Sequence, residues 1–437
     1  MHGRMEELAK KLNEELGAAA DFLSPAGLRM YFPYGGILGQ GAEAKKCALN
    51  ATIGMAFEDD GSPLVLDCFA GGTRLGKEAF LYCSSFGLAR LREKWKELEY
   101  AKNPSLEGKM FSSPVVTNAL THGLRLAGEM FAAPGDTVVA PDLFWDNYKL
   151  IFEGALDAKV RLFNTFKDGR FDVAAMKDAL VDGPGKKILV LNFPNNPTGW
   201  TATIEDAAAI VAAAKEAADA GIKIVALFDD AYFGLVYEKG VHEESLFADF
   251  ADLSENILAV KLDGTTKEDY VWGLRVGFVS FAFKGASEAQ LAALAAKAAG
   301  NVRSSISNAS SIGQHLALAA MENPLYGRQK REKYAVLRHR YETIRAILAA
   351  HPEYASSFEP MPFNSGYFMC VKPKGVEAEA VRRRLVEKYS TGTIVLSGLI
   401  RIAYSAIPAS SLGTLFANVH AAIAEEQKKQ EKQEKSK

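Results

Sequence analysis

The chain has 437 residues, 48% of them hydrophobic and 24% charged, and a formal net charge of −2 at pH 7. That is the make-up of a globular protein long enough for a two-part enzyme, and it excludes the broad positive field that draws nucleic acid or an anionic membrane. Cys47, Cys68, Cys83 and Cys370 are scattered, with no C-x-x-C and no metal-ligand spacing, which points to free thiols in a reducing cytoplasm and to no bound metal.

The opening MHGRMEELAKKLNEELG has the spacing of an amphipathic helix and lacks the apolar core of a secretion signal. A loop-rich stretch, FPYGGILGQGAEAKK (32–46), follows. From about Pro63 to about Met321, short β-like runs alternate with helical ones. The strands are DTVVAPD, KVRLFNTF, KKILVLNF, KIVALFDD, ILAVKL and VGFVSFAF. They are apolar on both faces, as in a mostly parallel sheet covered by helices. TIEDAAAIVAAAKEAADAG reads as a crossover helix, with Thr203 and Asp206 as its capping signal and Gly221 as its stop. DGPGKK (182–187) lacks the upstream glycine of a P-loop and reads as a turn feeding a strand.

YGRQKREKYAVLRHRYETIRAILAA (326–350) predicts one long helix of the kind that bridges two lobes. Two further strands, SGYFMCVK and LIRIAYSAI, lie on either side of VRRRLVEKY (381–389), whose basic run reads as the wet face of a helix. A closing helix ends in EEQKKQEKQEKSK, which has no apolar residue and is expected to be frayed or disordered. No stretch approaches the ~20 apolar residues that span a bilayer, so a soluble cytoplasmic protein is expected.

Open parallel sheets hold ligands beyond the carboxyl ends of their strands, so polar residues just past each strand are the candidates. After KKILVLNF, two prolines fix the backbone around Asn196, either as a rigid turn or to present its amide in one orientation. After KIVALF come Asp229 and Tyr232 in DDAY. A carboxylate at the end of a buried sheet is either a helix cap or a group that needs a cationic partner. After ILAVKLDGTT come Lys267 and then Arg275 in GLRVGF. Such a lysine is either solvated or a desolvated amine able to attack an aldehyde. TNALTH opens a helix, as an ordinary cap or as a phosphate site. Together the four ask for a ligand with a phosphate, a basic ring nitrogen, a phenolic oxygen and an aldehyde, which describes pyridoxal phosphate (PLP).

NNPTG, DDAY and TTK…GLRVG resemble, in order and spacing, the class I/II aminotransferases of PLP fold type I, with aspartate aminotransferase as the nearest pattern. NATIGMAFEDDGSP, YCSSFGLARLR, FWDNY, RSSISN and IRIAYS resemble further segments of that family, so the resemblance runs from about Ile37 to Ile407. It implies an α/β fold with a mostly parallel mixed sheet in a large domain (64–325) and a smaller α+β domain (1–63 and 326–425), followed by a charged tail (426–437). It also implies a homodimer with shared active sites. Carried over by position, Lys267 captures the cofactor's aldehyde and moves the substrate's α-proton. Asp229 pairs with the ring nitrogen, while Asn196 and Tyr232 hydrogen-bond the phenolic oxygen. Trp145 stacks on the ring. Ala119, Leu120, Thr121 and Arg275 lie at the phosphate, and Tyr82 reaches it from the other subunit. Arg401 clamps the substrate α-carboxylate, with Gly54 leaving room beside it.

The resemblance departs at the phosphate. Ala119 and Gly264 stand where the aspartate enzyme carries serines. Each lost hydrogen bond to a charged group costs about 1.5–3 kcal/mol, so weaker cofactor retention is expected unless Thr265 or Thr266 substitutes. Arg303 either crosses the subunit interface to bind the distal carboxylate of an acidic substrate or is an interface arginine with a structural partner. The implied reaction is ping-pong amino transfer between an L-amino acid, aspartate or aromatic, and a 2-oxo acid, with 2-oxoglutarate as one partner. A PLP-dependent β-lyase or aspartate decarboxylase is the first rival, since the same Lys267 and Asp229 would serve it. A non-catalytic PLP-binding regulatory module is the second. The few residues ahead of the match and the near-neutral charge speak against the DNA-binding domain such modules carry.

Overall fold

The computed structural model describes residues 2–33, 36–70 and 75–435, with 2–6 and 434–435 by backbone alone. A seven-stranded sheet is built from β1 (Val115–Thr117), β2 (Thr137–Pro141), β3 (Lys159–Phe163), β4 (Lys187–Leu191), β5 (Ile224–Asp229), β6 (Ile257–Gly264) and β7 (Gly277–Phe283). Its order is β1-β7-β6-β5-β4-β2-β3. Strands β6, β5, β4, β2 and β3 run parallel, and β7 is antiparallel to both β6 and β1. The six apolar runs of the sequence are β2 to β7. The edge strand β1 was not expected, because its paired residues are too few to show a period. Strands β4 and β5 are buried along their whole length, as both faces are covered.

The crossover helix occupies Ile204–Asp219. Thr203 Oγ1 accepts from the Asp206 amide at 3.1 Å, and Gly221 follows at φ +92°. Its small buried residues Ala207, Ala214 and Ala217 share one apolar cluster with Phe228 and Phe250, where a larger side chain would hold helix and sheet apart.

A second, antiparallel sheet has the order β8-β9-β11-β10, from β8 (Phe358–Pro360), β9 (Phe368–Pro373), β10 (Ile394–Leu396) and β11 (Leu399–Ala403). The long helix Tyr326–Ala350 and the closing helix Leu412–Lys435 pack on it through Leu337, Ile344, Ile400 and Phe416. Leu49–Asn50 pairs in parallel with Thr391–Gly392, which ties the amino-terminal segment to this part of the chain.

Three expectations are corrected. The loop-rich stretch 32–46 contains a helix, Ile37–Glu43, despite its glycines. Gln40 anchors it, accepting from the Val395 amide at 2.6 Å and donating to the Val395 carbonyl at 3.0 Å. Tyr34 and Gly35 of that stretch lie outside the described residues. The basic run lies on the helix Ala378–Tyr389, but it is not simply a wet face. Arg382 is buried and pairs with Glu379 and Glu43, each at 2.7 Å. The tail expected to be frayed or disordered continues the closing helix as far as Lys435. Arg384 pairs there with Glu425 at 2.7 Å and Glu426 at 2.5 Å, and Gln427 donates to the Lys374 carbonyl at 2.8 Å. These polar contacts hold the last turns of the helix, which have no apolar residue to offer. Ser436 and Lys437 lie outside the described residues. Among the described residues no helix is long and apolar enough to cross a membrane. All four cysteines are free thiols.

Candidate active site

Three parallel strands end at one place. β5 terminates on Asp229, β6 passes through Gly264 into the short helix Thr265–Glu268 that carries Lys267, and β4 runs into the turn at 192–200. The second sheet brings Phe368 on β9 and Arg401 on β11 against them. One cavity of about 210 Å³ results. It is lined by Gly54, Ala119, Leu120, Thr121, Trp145, Asn196, Asp229, Tyr232, Lys267, Arg275 and Arg401. Most of the predicted site residues are thus gathered, although they come from both sheets. Tyr82 and Arg303 are not. Tyr82 is 93% exposed, and Arg303 is exposed with Nη1 donating to Ser307 Oγ at 2.7 Å.

Burial dominates the electrostatics. It lowers the Lys267 amine to about 8, with Asp229 pulling it up and Arg275 pushing it down. The Lys267 Nζ lies 5.0 Å from the centre of the Tyr232 ring. Burial also pushes the Asp229 carboxyl up, opposed by a hydrogen bond from Tyr148 and by the Lys267 charge. Tyr148 Oη donates to Asp229 Oδ2 at 2.5 Å, and the Ala231 amide donates to Oδ1 at 3.2 Å. Sequence reasoning missed Tyr148. It lies within the FWDNY stretch, but nothing local marks it as the partner of a carboxylate 81 residues away.

The asparagines and prolines past β4 divide the work. Asn195 Oδ1 accepts from the Thr198 amide at 3.1 Å and from its hydroxyl at 2.7 Å, which closes the turn. Asn192 Nδ2 donates to the Asp229 carbonyl at 2.7 Å, and Asn192 Oδ1 accepts from the Asn196 amide at 2.8 Å. Asn196 is left facing the cavity, where its Oδ1 accepts from Arg401 Nη1 at 2.9 Å. Gly199 sits at φ +71°, and a β-carbon there would lie 1.8 Å from the Phe368 carbonyl oxygen. Only glycine lets the turn pass so close under β9. Asn192 also lines the cavity and was missed, although its place immediately after β4 was the available signal.

Several donors in the cavity lack partners among the described residues. Arg401 is 2% exposed, with Nη2 donating to the Thr52 carbonyl at 2.9 Å and its guanidinium 4.4 Å from the centre of the Phe368 ring. Its Nε has no partner, and among the described residues no carboxylate lies within ion-pair distance of it. Thr266 Oγ1 is likewise buried and unpartnered, whereas Thr265 Oγ1 donates to the Val276 carbonyl at 3.2 Å. The helix Ala119–Phe131 opens onto the cavity with no side-chain cap. Such orphaned donors are costly unless an anion meets them. The glycine at 264 has a steric reason. A β-carbon there would lie 2.6 Å from both the Val276 carbonyl oxygen and Gly277 Cα, so a serine does not fit and Thr266 supplies the free hydroxyl.

A family model described as aminotransferase class I and II matches residues 67–417. The chain belongs to that family. It is 26% identical over 243 residues to the probable N-acetyl-LL-diaminopimelate aminotransferase of Bacillus subtilis (strain 168), covering 55% of this chain and 56% of the relative. It is 27% identical over 299 residues to the aspartate aminotransferase of the same organism, covering 67% and 66%. The chain therefore matches between about half and two thirds of these relatives' length. The solved aminotransferase from Anaerococcus prevotii DSM 20548 has the same fold, with a TM-score of 0.76 at 21% identity over 95% of this chain and 96% of that one. Class I and II aminotransferases are PLP-dependent, and the cavity fits that group. It offers a hydroxyl, an arginine and an uncapped helix end for a phosphate, and a buried amine and carboxylate for the ring.

Proposed function

We propose that the protein is a PLP-dependent aminotransferase that moves an amino group between an L-amino acid, aspartate or aromatic, and a 2-oxo acid, with 2-oxoglutarate as one partner. The observation that carries this reading is the buried guanidinium of Arg401, facing the same cavity as Lys267 and without a carboxylate in ion-pair distance among the described residues. A guanidinium matches a substrate α-carboxylate in two bonds, and that carboxylate satisfies the orphaned Nε region. Bound PLP supplies an aldehyde and an electron-withdrawing ring that stabilises negative charge at the substrate Cα. Lys267, uncharged for part of the time near neutral pH, is the base that takes the α-proton and returns it. Asp229, held by Tyr148, keeps a negative charge at the ring nitrogen, and Tyr232 and Asn196 orient the phenolic edge. Thr266, Arg275, Thr121 and the amides of Ala119 and Leu120 hold the phosphate, while Trp145 covers the ring and Gly54 leaves space for the substrate.

The reading includes a homodimer. Phe80, Leu81 and Tyr82 are 70%, 67% and 93% exposed, an apolar run that a second copy would cover while placing Tyr82 and Arg303 in its neighbour's cavity. It also includes a large domain over 64–325 and a small domain joining both ends of the chain, supported by the pairing of Leu49–Asn50 with Thr391–Gly392. A reducing cytoplasm suits the free thiols.

The test is a panel of L-amino acids and 2-oxo acids with the purified protein, following oxo acid, ammonia and CO2. Oxo-acid-dependent transfer is expected. Ammonia or CO2 without it means a lyase or decarboxylase, and a bound-cofactor spectrum that answers to no amino acid means a regulatory module. Arg401→Met should lower kcat/KM by about 100-fold, through two lost charge-assisted bonds. Thr266→Val should weaken PLP binding by about 10-fold or more, read by fluorescence titration of the apoprotein. Unchanged retention would remove Thr266 from the phosphate site.

A further inference from the structure

Behind the cavity lies a chain of charges that does not face the ligand, with Glu99, Asp230, Lys261 and Glu268 buried and Lys102 half-buried. Successive side chains at a strand end point to opposite sides. Asp229 accordingly lines the cavity while Asp230 points away from it to Lys261; on the short helix Thr265–Glu268, where neighbours are about 100° apart, Lys267 lines the cavity while Glu268 turns to Lys102. The two outward carboxylates are joined through the helix Ala89–Lys102. Asp230 Oδ2 meets Lys261 Nζ at 2.5 Å, and Lys261 meets Glu99 Oε2 at 3.4 Å. Glu99 Oε1 meets Lys102 Nζ at 2.7 Å, and Lys102 meets Glu268 Oε1 at 3.1 Å. Lys102 is also enclosed by aromatic faces, 4.3 Å from the centre of the Trp95 ring and 5.0 Å from that of Phe233. Trp95 Nε1 donates to both oxygens of Asp263 at 3.1 Å. Glu268 is held from its other side by Lys330, at 3.0 Å, on the long helix Tyr326–Ala350.

We propose that Lys102 is a positioning residue, the bridge of a buried ionic clamp that fixes the Asp229 and Lys267 side chains relative to each other by holding the residue next to each. A shift of about 1 Å between groups that act on the same ligand costs about 100-fold in rate, so a clamp on both neighbours has a direct route to catalysis. Buried charge pairs also confer geometry more reliably than net stability, which suits a device that holds two loops in register. Burial holds the Asp263 carboxyl well above the carboxylate range, opposed by Lys261 at 3.1 Å and reinforced by Glu99 beside it.

The inference rests on the reading of Lys267 and Asp229 as the cofactor-holding pair, and the holoenzyme tests the two separately. Lys102→Met should lower kcat by about 10- to 100-fold with KM changed by less than about threefold. It should also move the midpoint of the pH-dependent visible spectrum of bound PLP by about half a pH unit or more, as the distance between amine and carboxylate changes. Lys102→Arg, which keeps the charge, should restore both. If Lys102→Met does not accumulate as folded protein, Glu99→Gln breaks the same link with its shape preserved and carries the same expectations. A variant that loses thermal stability but keeps the wild-type midpoint and kcat overturns the proposal and leaves the cluster merely structural. Absence of a PLP spectrum in the wild type removes the underlying reading and the clamp with it. A wild-type spectrum whose midpoint no variant moves removes the clamp alone.

Discussion

Lys267→Ala is expected to abolish the visible spectrum that the protein acquires with PLP and to lower transamination by about 10⁴-fold, the upper range for one positioned acid–base group. The amine sits in a cavity whose burial lowers it to about 8, against an ordinary value of 10.5. Below that value it is an ammonium without a lone pair, and above it a neutral nucleophile. Capture of PLP by the wild-type apoprotein should therefore speed up with rising pH, pass half-maximum at about 8 and level off, whereas an exposed lysine would keep rising beyond 10. Removing a charge that burial disfavours should leave the melting temperature unchanged or higher, which separates loss of chemistry from loss of fold. If the alanine variant keeps the spectrum, another amine holds the cofactor and the assignment of Lys267 fails.

Asp229→Asn should cost about 10³-fold in kcat while leaving the cavity intact. An ion pair at about 4 Å in an effective dielectric of about 20 is worth about 4 kcal/mol, and an amide supplies none of it. The asparagine can still meet Tyr148 Oη, now 2.5 Å from Oδ2, so the turn at 230–232 should stay in place. A PLP analogue methylated at the ring nitrogen carries its positive charge without a partner, and it should return part of the lost rate to Asp229→Asn but add nothing to the wild type. Tyr148→Phe leaves one carboxylate oxygen without a donor in a buried place, and about 10-fold is the expected loss. A full-rate Asp229→Asn enzyme would show that the carboxylate is only the cap of the turn.

Particular residues show where sequence reading reaches its limit. Lys267, Asp229 and Asn196 were legible because each follows an apolar run at a strand end, and strand ends are where open sheets place ligands. Asn192 obeys the same rule, but the more conspicuous turn beside it masks the signal. The helix Ile37–Glu43 was read as loop because Gly39 and Gly41 weaken its propensity, while the contacts of Gln40 with Val395 that hold it lie 355 residues away. The helical tail reads as frayed or disordered for want of apolar residues, but the arginine that pairs with its first glutamates belongs to another helix.

The sequence by itself determined the alternation of strands and helices, the place of the lysine, carboxylate and amide past their strands, and the kind of ligand they suit. Those properties depend on residue type and short-range spacing. Only the tertiary structure decided that Tyr148 meets Asp229, that Arg401 arrives on the second sheet with no carboxylate at ion-pair distance among the described residues, that Gly264 has no room for a side chain, and that Lys102 links the neighbours of the two central groups. Each of these joins segments far apart in the chain, 205 residues in the case of Arg401 and Asn196. Such a meeting follows from how helices and sheets pack, and no local period records it.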